Sequence, residues 1–349
     1  MPRPLRQDVE RALLLSLFWG NPSPANEIAR RFSVSRQLTS RYLRQLTQEK
    51  VVKSEGSGRW TRYALRTVRR FEREYDSATG VREDVAWADA RPALEDLERE
   101  EQDICHYGVT EMFNNALDHS ASRKVRLSVA RTAVSVRLQV RDGGVGIFQK
   151  IADALGLADA RLSLLELSKG RFTTDPTRHT GEGVFFASRM FDRYMLRSAD
   201  LLFSHRIDHD DWLVEDRDGA AKGTRVIMDL LLPSRRVMSE VYGRYSSGPD
   251  DYRFAKTHVP IRLAQYGDEA LISRSAARRV LARIEKFDEV MLDFDGVPTV
   301  GQAFADEIFR VFATEHPNVR LIGINMNAQV TMMVNRASDR REDDQPSLF

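Results

Sequence analysis

Apolar and polar positions change period several times along the 349-residue chain. Residues 8–19 (DVERALLLSLFW) carry apolar side chains at helical spacing, and the turn GNPSPA follows. A short helix is predicted over 25–32, with Ile28, Ala29 and Phe32 on one face. After the tight connection at Ser33 and Val34, Ser35 is placed to cap a helix running to about Lys50. Leu38, Tyr42, Leu43 and Leu46 supply its buried stripe. The run VVKSEGSGRWTRYAL alternates around a glycine-rich tip and reads as a hairpin, Val51–Ser54 against Arg59–Leu65. Arg66 to about Asp84 lacks clear periodicity and reads as a linker, and 86–101 is acidic and helix-prone.

Residues 103–119 then read as a helix with Ile104, Val109, Met112, Phe113 and Ala116 facing a core. Lys124–Ala130 and Ala133–Arg141 alternate as two strands, FFASRMFD is a helical run, and 226–232 is a strand. Beyond the Ser/Gly/Pro patch that ends at Pro249, an amphipathic helix over 270–286 has Ser273 as a cap candidate. Strands at 289–294 and 319–324 flank a helix over 302–314, which indicates a small α/β layer. The polar stretch 335–349 is expected to fray. The fold class expected is multidomain α+β, divided at 1–70, 71–93 (linker), 94–233, 234–335 and 336–349 (disordered tail).

Composition narrows the classes. At 42% hydrophobic and 30% charged, the chain can build real cores. No apolar run reaches the ~18 residues of a membrane span. Ala12 to Trp19 is too short, and lacks the cleavage site, for a leader peptide. Cys105 is the single cysteine, so disulfides and multi-cysteine zinc sites drop out. A cytoplasmic protein without membrane contact is the expectation.

The net charge of +2 hides an asymmetry. Residues 1–70 hold fifteen Lys/Arg against five Asp/Glu, a balance of +10, which leaves −8 for the remainder. A basic head on an acidic body points to nucleic acid. On the second helix, Arg36, Gln37, Thr39, Ser40, Arg41 and Arg44 remain for the outer face beside Ser35, and Arg59 and Arg62 sit at the hairpin. Two helices joined by a tight turn, the second basic, with a hairpin behind, resemble the winged helix-turn-helix family. That resemblance implies double-stranded DNA as a partner. A winged helix used only for protein contacts is the alternative.

Four short segments carry candidate chemistry. Glu111 and Asn115, at i and i+4, share one helix face. Alone they fit a solvated polar face as well as a metal-bound nucleotide. Asp142-Gly143-Gly144-Val145-Gly146 ends a strand; such a loop is a common turn, and its aspartate can also accept a bond from an exocyclic amine. His179-Thr180-Gly181-Glu182-Gly183 precedes a helix whose first amides suit phosphate. Gly223-Thr224-Arg225 opens the strand at 226.

Their order and spacing resemble the GHKL superfamily, the ATP-binding (Bergerat) α/β sandwich of gyrase B and of histidine-kinase catalytic domains, over residues 95–232. The resemblance implies ATP and Mg²⁺ as cofactors. By motif position, Asn115 would ligate Mg²⁺ and Asp142 would bind the adenine amine. Gly144 and Gly146 would allow close approach, Gly181 and Gly183 would cradle phosphate, and Thr224 would support the adenine contact. Glu111 matches the carboxylate that orients or deprotonates water in the hydrolysing branches. Leu167 to Thr180 resembles the ATP lid, with Lys169, Arg171 or Arg178 near the γ-phosphate. No helical hairpin with a phosphoacceptor histidine precedes this module, and His106 reads as structural. Histidine autophosphorylation is therefore not expected; ATP hydrolysis or an ATP-gated conformational change is. His205, Asp208, His209, Asp210 and Asp211 have metal-like spacing, but flanking strands make them a hairpin tip.

The run VMLDFDGVPTVGQAFADEIFRVF resembles the core of STAS domains, the fold of anti-anti-sigma factors. Val300-Gly301-Gln302-Ala303 holds no serine where that family is phosphorylated, and Thr299 is offset. A regulatory protein partner and a homo-oligomer are both compatible with this domain. The combined expectation is an ATP-binding, DNA-binding regulator. Two alternatives stand beside it: an anti-sigma-type protein-serine kinase, and an ATP-gated sensor or effector subunit of a multi-gene system such as phage defence.

Overall fold

The computed structural model describes residues 5–173, 180–206, 209–215, 221–248, 251–265 and 270–343. The chain opens with α1 (Arg6–Phe18), α2 (Ala25–Arg31) and α3 (Arg36–Gln48), then the antiparallel pair β1 (Val52–Glu55) and β2 (Arg62–Leu65). Ser35 caps α3 by accepting a hydrogen bond from the Leu38 amide at 3.2 Å. Val9, Leu13, Leu17, Ile28, Leu43 and Leu46 form a core of their own, which Val134 of the next unit enters.

The second unit is a seven-stranded antiparallel sheet under helices. Its strands are β3 (Arg69–Asp76), β4 (Lys124–Arg131), β5 (Ser135–Asp142), β6 (Arg193–Ala199), β7 (Leu201–Arg206), β8 (His209–Glu215) and β9 (Ala221–Leu231). They lie in the order β3-β4-β5-β9-β6-β7-β8. The helices are α4 (Glu83–Ala90), α5 (Arg99–His119), α6 (Ile147–Leu155), α7 (Ser163–Lys169) and α8 (Gly183–Met190). α5 starts with a reciprocal Glu98–Glu101 capping box and crosses the sheet. Its Ile104, Val109, Met112 and Phe113 are buried on strand residues such as Val129, Leu138 and Met228.

The expected linker folds into this sheet. Residues 69–76 pair with β4 in register from Arg69↔Arg131 to Asp76↔Lys124. The pairing sets Glu74 against Arg126 (2.9 Å) and Lys124 (2.7 Å), and Asp76 against Arg123 (3.0 Å). Opposite charges across an edge pair favour the strand where apolar alternation is weak. Only Tyr75 of β3 is buried. The hairpin tip read at His205–Asp211 joins β7 to β8, with Arg206 opposite His209; Asp208 lies outside the described residues.

The chain continues through α9 (Met238–Tyr245), the short pair β10 (Ser246–Gly248) and β11 (Asp251–Phe254), and a parallel sheet. That sheet holds β12 (Lys256–Pro260), β13 (Glu289–Asp293) and β14 (Arg320–Ile324) in this order. Around it lie α10 (Arg274–Leu281), capped by Ser273, α11 (Gln302–Asp306) with a π-helical continuation to Phe312, α12 (Ala313–Glu315) and α13 (Ala328–Asp343). α13 takes in much of the expected disordered tail, because Val330, Val334 and Ala337 bury one stripe of it. Among the described residues no helix is long and apolar enough to cross a membrane.

The second and third units share one apolar cluster, and α7 joins them. Every residue of α7 is buried. The Lys169 ammonium donates to Glu166 (2.6 Å) and to the carbonyls of Arg279 and Ala282 (2.9 Å each). Arg283 donates to the other Glu166 oxygen at 3.0 Å, and Thr257 donates to the Lys169 carbonyl at 2.7 Å. A buried ion pair of this kind is costly to break from one side. Lys169→Ala is therefore expected to lower unfolding free energy by about 3 kcal/mol in urea denaturation. A loss under about 1 kcal/mol, the value of an exposed pair, would contradict a buried clamp.

Candidate functional site

A cavity of about 390 Å³ opens between α5, the β5–α6 loop, the start of α8 and the ends of β6 and β9. Glu111 and Asn115 project into it from α5, Asp142 and Gly146 line it from the β5 end, and Thr224 does so from β9. Gly181 and Gly183 close the opposite side, next to Phe172, Thr173 and Thr180. All four sequence segments thus meet around one space, although Glu111 and Thr224 are far apart in the chain. Apolar side chains such as Val140, Ile147, Ile151 and Leu196 supply much of the remaining wall.

Asp142 organises the floor. It is 5% exposed, and its Oδ1 accepts from the Gly144 amide (2.9 Å) and the Thr224 amide (3.3 Å). Its Oδ2 has no partner among the described residues. Thr224 Oγ1 accepts from the Ile147 amide at 3.1 Å, which ties β9 to the start of α6. Burial pushes the Asp142 carboxyl above the usual range, and the two amide bonds only partly offset it. Asp142 therefore presents one oxygen at the cavity that can still accept a hydrogen bond.

Two glycines set close approaches. A Cβ on Gly144 would overlap the Ser120 carbonyl oxygen, so this residue seats the loop on the end of α5 and is not itself part of the cavity lining. A Cβ on Gly183 would overlap Glu111 Oε2, so the first turn of α8 lies directly against the Glu111 carboxylate. The Asn115 carboxamide has no hydrogen-bond partner among the described residues. Tyr107, next to Glu111 and edge-on to Tyr242 at 6.2 Å, has its hydroxyl pKa raised by burial and then by the Glu111 charge.

Lys150 is a lining cation that the sequence reading passed over. It lies on α6, with Nζ donating to the His119 carbonyl at 2.8 Å. Desolvation lowers its pKa, and nearby Asp118 acts in the opposite sense. Its position one turn into the helix after the glycine loop was the available signal. Lys169 and Arg171, expected near a γ-phosphate, lie outside the cavity. Lys169 is held in the α7 clamp, while Arg171 donates to the Lys286 carbonyl (2.5 Å) and stacks on Phe287, 5.0 Å from its centroid. Arg178 and His179 lie outside the described residues.

On the basic head, Arg36, Gln37, Arg41 and Arg44 are exposed along α3, and Arg62 is exposed on β2. Thr39 is fully buried: its hydroxyl donates to the Ala25 and Arg36 carbonyls (3.0 and 2.9 Å). It sits at i, i+4, i+7 with Leu43 and Leu46, which puts it on the inward stripe and not on the outer face expected for it. Ser35 is engaged as the cap and Ser40 is half-buried; Arg59 lies in the short turn before β2. Trp60, 71% exposed beside that turn, is an aromatic that the charge-based reading missed.

Comparison with known families follows this geometry. Residues 61–201 match the model of the histidine kinase-like ATPase domain. Residues 276–331 match that of a STAS-like domain of unknown function. No curated protein matches the chain. The first match starts before β3, in keeping with the sheet beginning well ahead of residue 94. A histidine-kinase-like ATPase domain implies ATP as ligand, with Mg²⁺ its usual companion.

The raised Asp142 pKa has a definite sign. A carboxyl with a folded pKa above its unfolded one destabilises the fold when ionised, and this cost shrinks as pH falls through the folded value and is gone below the unfolded one. Asp142→Asn is therefore expected to keep or raise the melting temperature at pH 7 while weakening ATP at least tenfold, ~1.4 kcal/mol. Thermal melts with and without Mg-ATP check both halves. A lower melting temperature with unchanged ATP affinity would refute the assignment.

Proposed function

We propose that this chain is an ATP-binding and ATP-hydrolysing regulator that contacts double-stranded DNA through its head and answers to its C-terminal domain. The observation carrying the reading is the cavity in which Asp142 Oδ2 and the Asn115 carboxamide both lack partners among the described residues. Asp142 then accepts the adenine amine, and the Thr224 amide fixes the carboxylate that does so. The Asn115 carboxamide oxygen is the metal ligand of the set. Mg²⁺ supplies charge neutralisation at the phosphates. The Gly181 and Gly183 amides and Lys150 Nζ are the donors on the phosphate side. Glu111 holds and deprotonates the attacking water.

Two features of the fold support transmission from this site. The segment Leu167 to Thr173 runs from the buried α7 to the cavity wall, so the same backbone borders the ligand and grips the C-terminal domain. Arg283 of that domain donates to the Arg171 carbonyl (2.5 Å) and lies over the Phe172 ring, 5.0 Å from its centroid. On the other side, the Arg206 guanidinium lies 3.9 Å from the centroid of the head's Trp19, and Arg11 donates to the Leu232 carbonyl at 2.9 Å. A ligand moves such an equilibrium through contacts that differ between two states.

The head is read as a winged helix because its three helices and hairpin follow that order and α3 carries four exposed polar or basic side chains outward. Its phosphate contacts predict salt-sensitive binding. Arg36→Ala, Arg41→Ala and Arg44→Ala together should weaken a duplex mobility shift at least tenfold and flatten its salt dependence. An unaltered shift would make the head a protein-contact module. Glu111→Ala should retain Mg-ATP binding and lose turnover in a phosphate-release assay. Turnover equal to that of the unaltered protein would remove Glu111 from its role.

A further inference from the structure

A second cavity, of about 580 Å³, lies where the three units meet. Arg11 reaches it from α1 of the head, and Arg189 and Asp192 from the end of α8. Arg235, Arg236 and Arg244 come from the segment leading into the C-terminal domain, whose β12 adds His258. Among the described residues, five arginines and two acids, Asp192 and Glu240, line it. Asp192 is already engaged, accepting from the Leu231 amide at 2.7 Å and from Arg236 at 3.3 Å.

The arginines are held, not merely gathered. Arg189 is 9% exposed. Arg236 donates to the Arg189 carbonyl at 2.6 Å, its side chain is 12% exposed, and its Nε is buried without a hydrogen-bond partner. Arg235 and Arg244, at the exposed rim, have no ion-pair or hydrogen-bond partner among the described residues. Like charges brought together in a partly desolvated space repel, and a buried donor without an acceptor adds to the cost. A multiply charged anion removes both penalties at once, because each guanidinium presents a planar fork suited to phosphate oxygens.

We propose that this junction is a binding site for a small molecule carrying two or more phosphate groups, separate from the ATP cavity. Arg235 and Arg244 are the two guanidiniums without a partner among the described residues, and a ligand with two or more phosphates offers each of them its own anionic group across a space of this size. Bridging the head, the ATPase sheet and the C-terminal domain, such a ligand would favour the arrangement in which all three are docked. The site is thus a place for a chemical signal to act, and its existence does not depend on how the first cavity is used.

The test is calorimetric titration of the full chain with pyrophosphate, in Mg²⁺-free buffer at physiological ionic strength. Orthophosphate and citrate serve as comparators. Pyrophosphate is expected to bind more tightly than either. Its dissociation constant should rise at least tenfold in Arg235→Ala/Arg244→Ala and stay within twofold in Lys150→Ala, which removes the cation of the first cavity. Circular dichroism and melting confirm that the variants fold, as both rim arginines are exposed. Three results overturn the proposal: absent pyrophosphate binding, citrate binding more tightly, or binding lost in Lys150→Ala and kept in the arginine variant.

Discussion

One carboxylate sets the geometry on which the cavity beside α5 depends. Asp142 ends β5, and its Oδ1 gathers the amides of Gly144 and Thr224, so the loop after β5 and the adjoining stretch of β9 are fixed by a single atom. Thr224 then anchors the start of α6 through the Ile147 amide, which puts Lys150 at the cavity edge. Gly144 sits against the Ser120 carbonyl where a side chain would not fit, and this holds the same loop to the end of α5. The cost is a carboxylate of little exposure whose second oxygen has no donor among the described residues.

From that centre the molecule extends in two directions by different physics. Toward the C-terminal domain the connection is buried and ionic, with Glu166, Lys169 and Arg283 closing on one another and on backbone carbonyls. Toward the head it is aromatic and peripheral, through Trp19, Phe18 and the guanidiniums of Arg193 and Arg206. The first is expensive to open, and the second adds Val134 in the head's core and the Arg11 bond to the Leu232 carbonyl.

Local pattern made much of this legible. The helix over 99–119, the β4–β5 hairpin and the Ser35 and Ser273 caps depend on neighbours a few residues apart, which periodicity reports. β3 escaped because it is an edge strand held by cross-strand ion pairs, a signal that appears only once its partner strand is known. For Lys169 the sequence points to phosphate, because a lysine in a lid suggests a ligand. Its true partners include Arg279, Ala282 and, through Glu166, Arg283, more than a hundred positions away. Thr39 could have been read correctly, since its spacing from Leu43 and Leu46 places it inward regardless of its hydroxyl.

The central claim, that a nucleotide fills the cavity beside Asp142 and acts on the wall shared with the C-terminal domain, is tested most directly by hydrogen–deuterium exchange. The full chain is compared with and without Mg²⁺ and a non-hydrolysable ATP analogue. The account predicts slowed exchange in 142–151 and 180–186 together with a change in 163–173 and 279–287. Unaltered exchange around Asp142 in the presence of the analogue would contradict it.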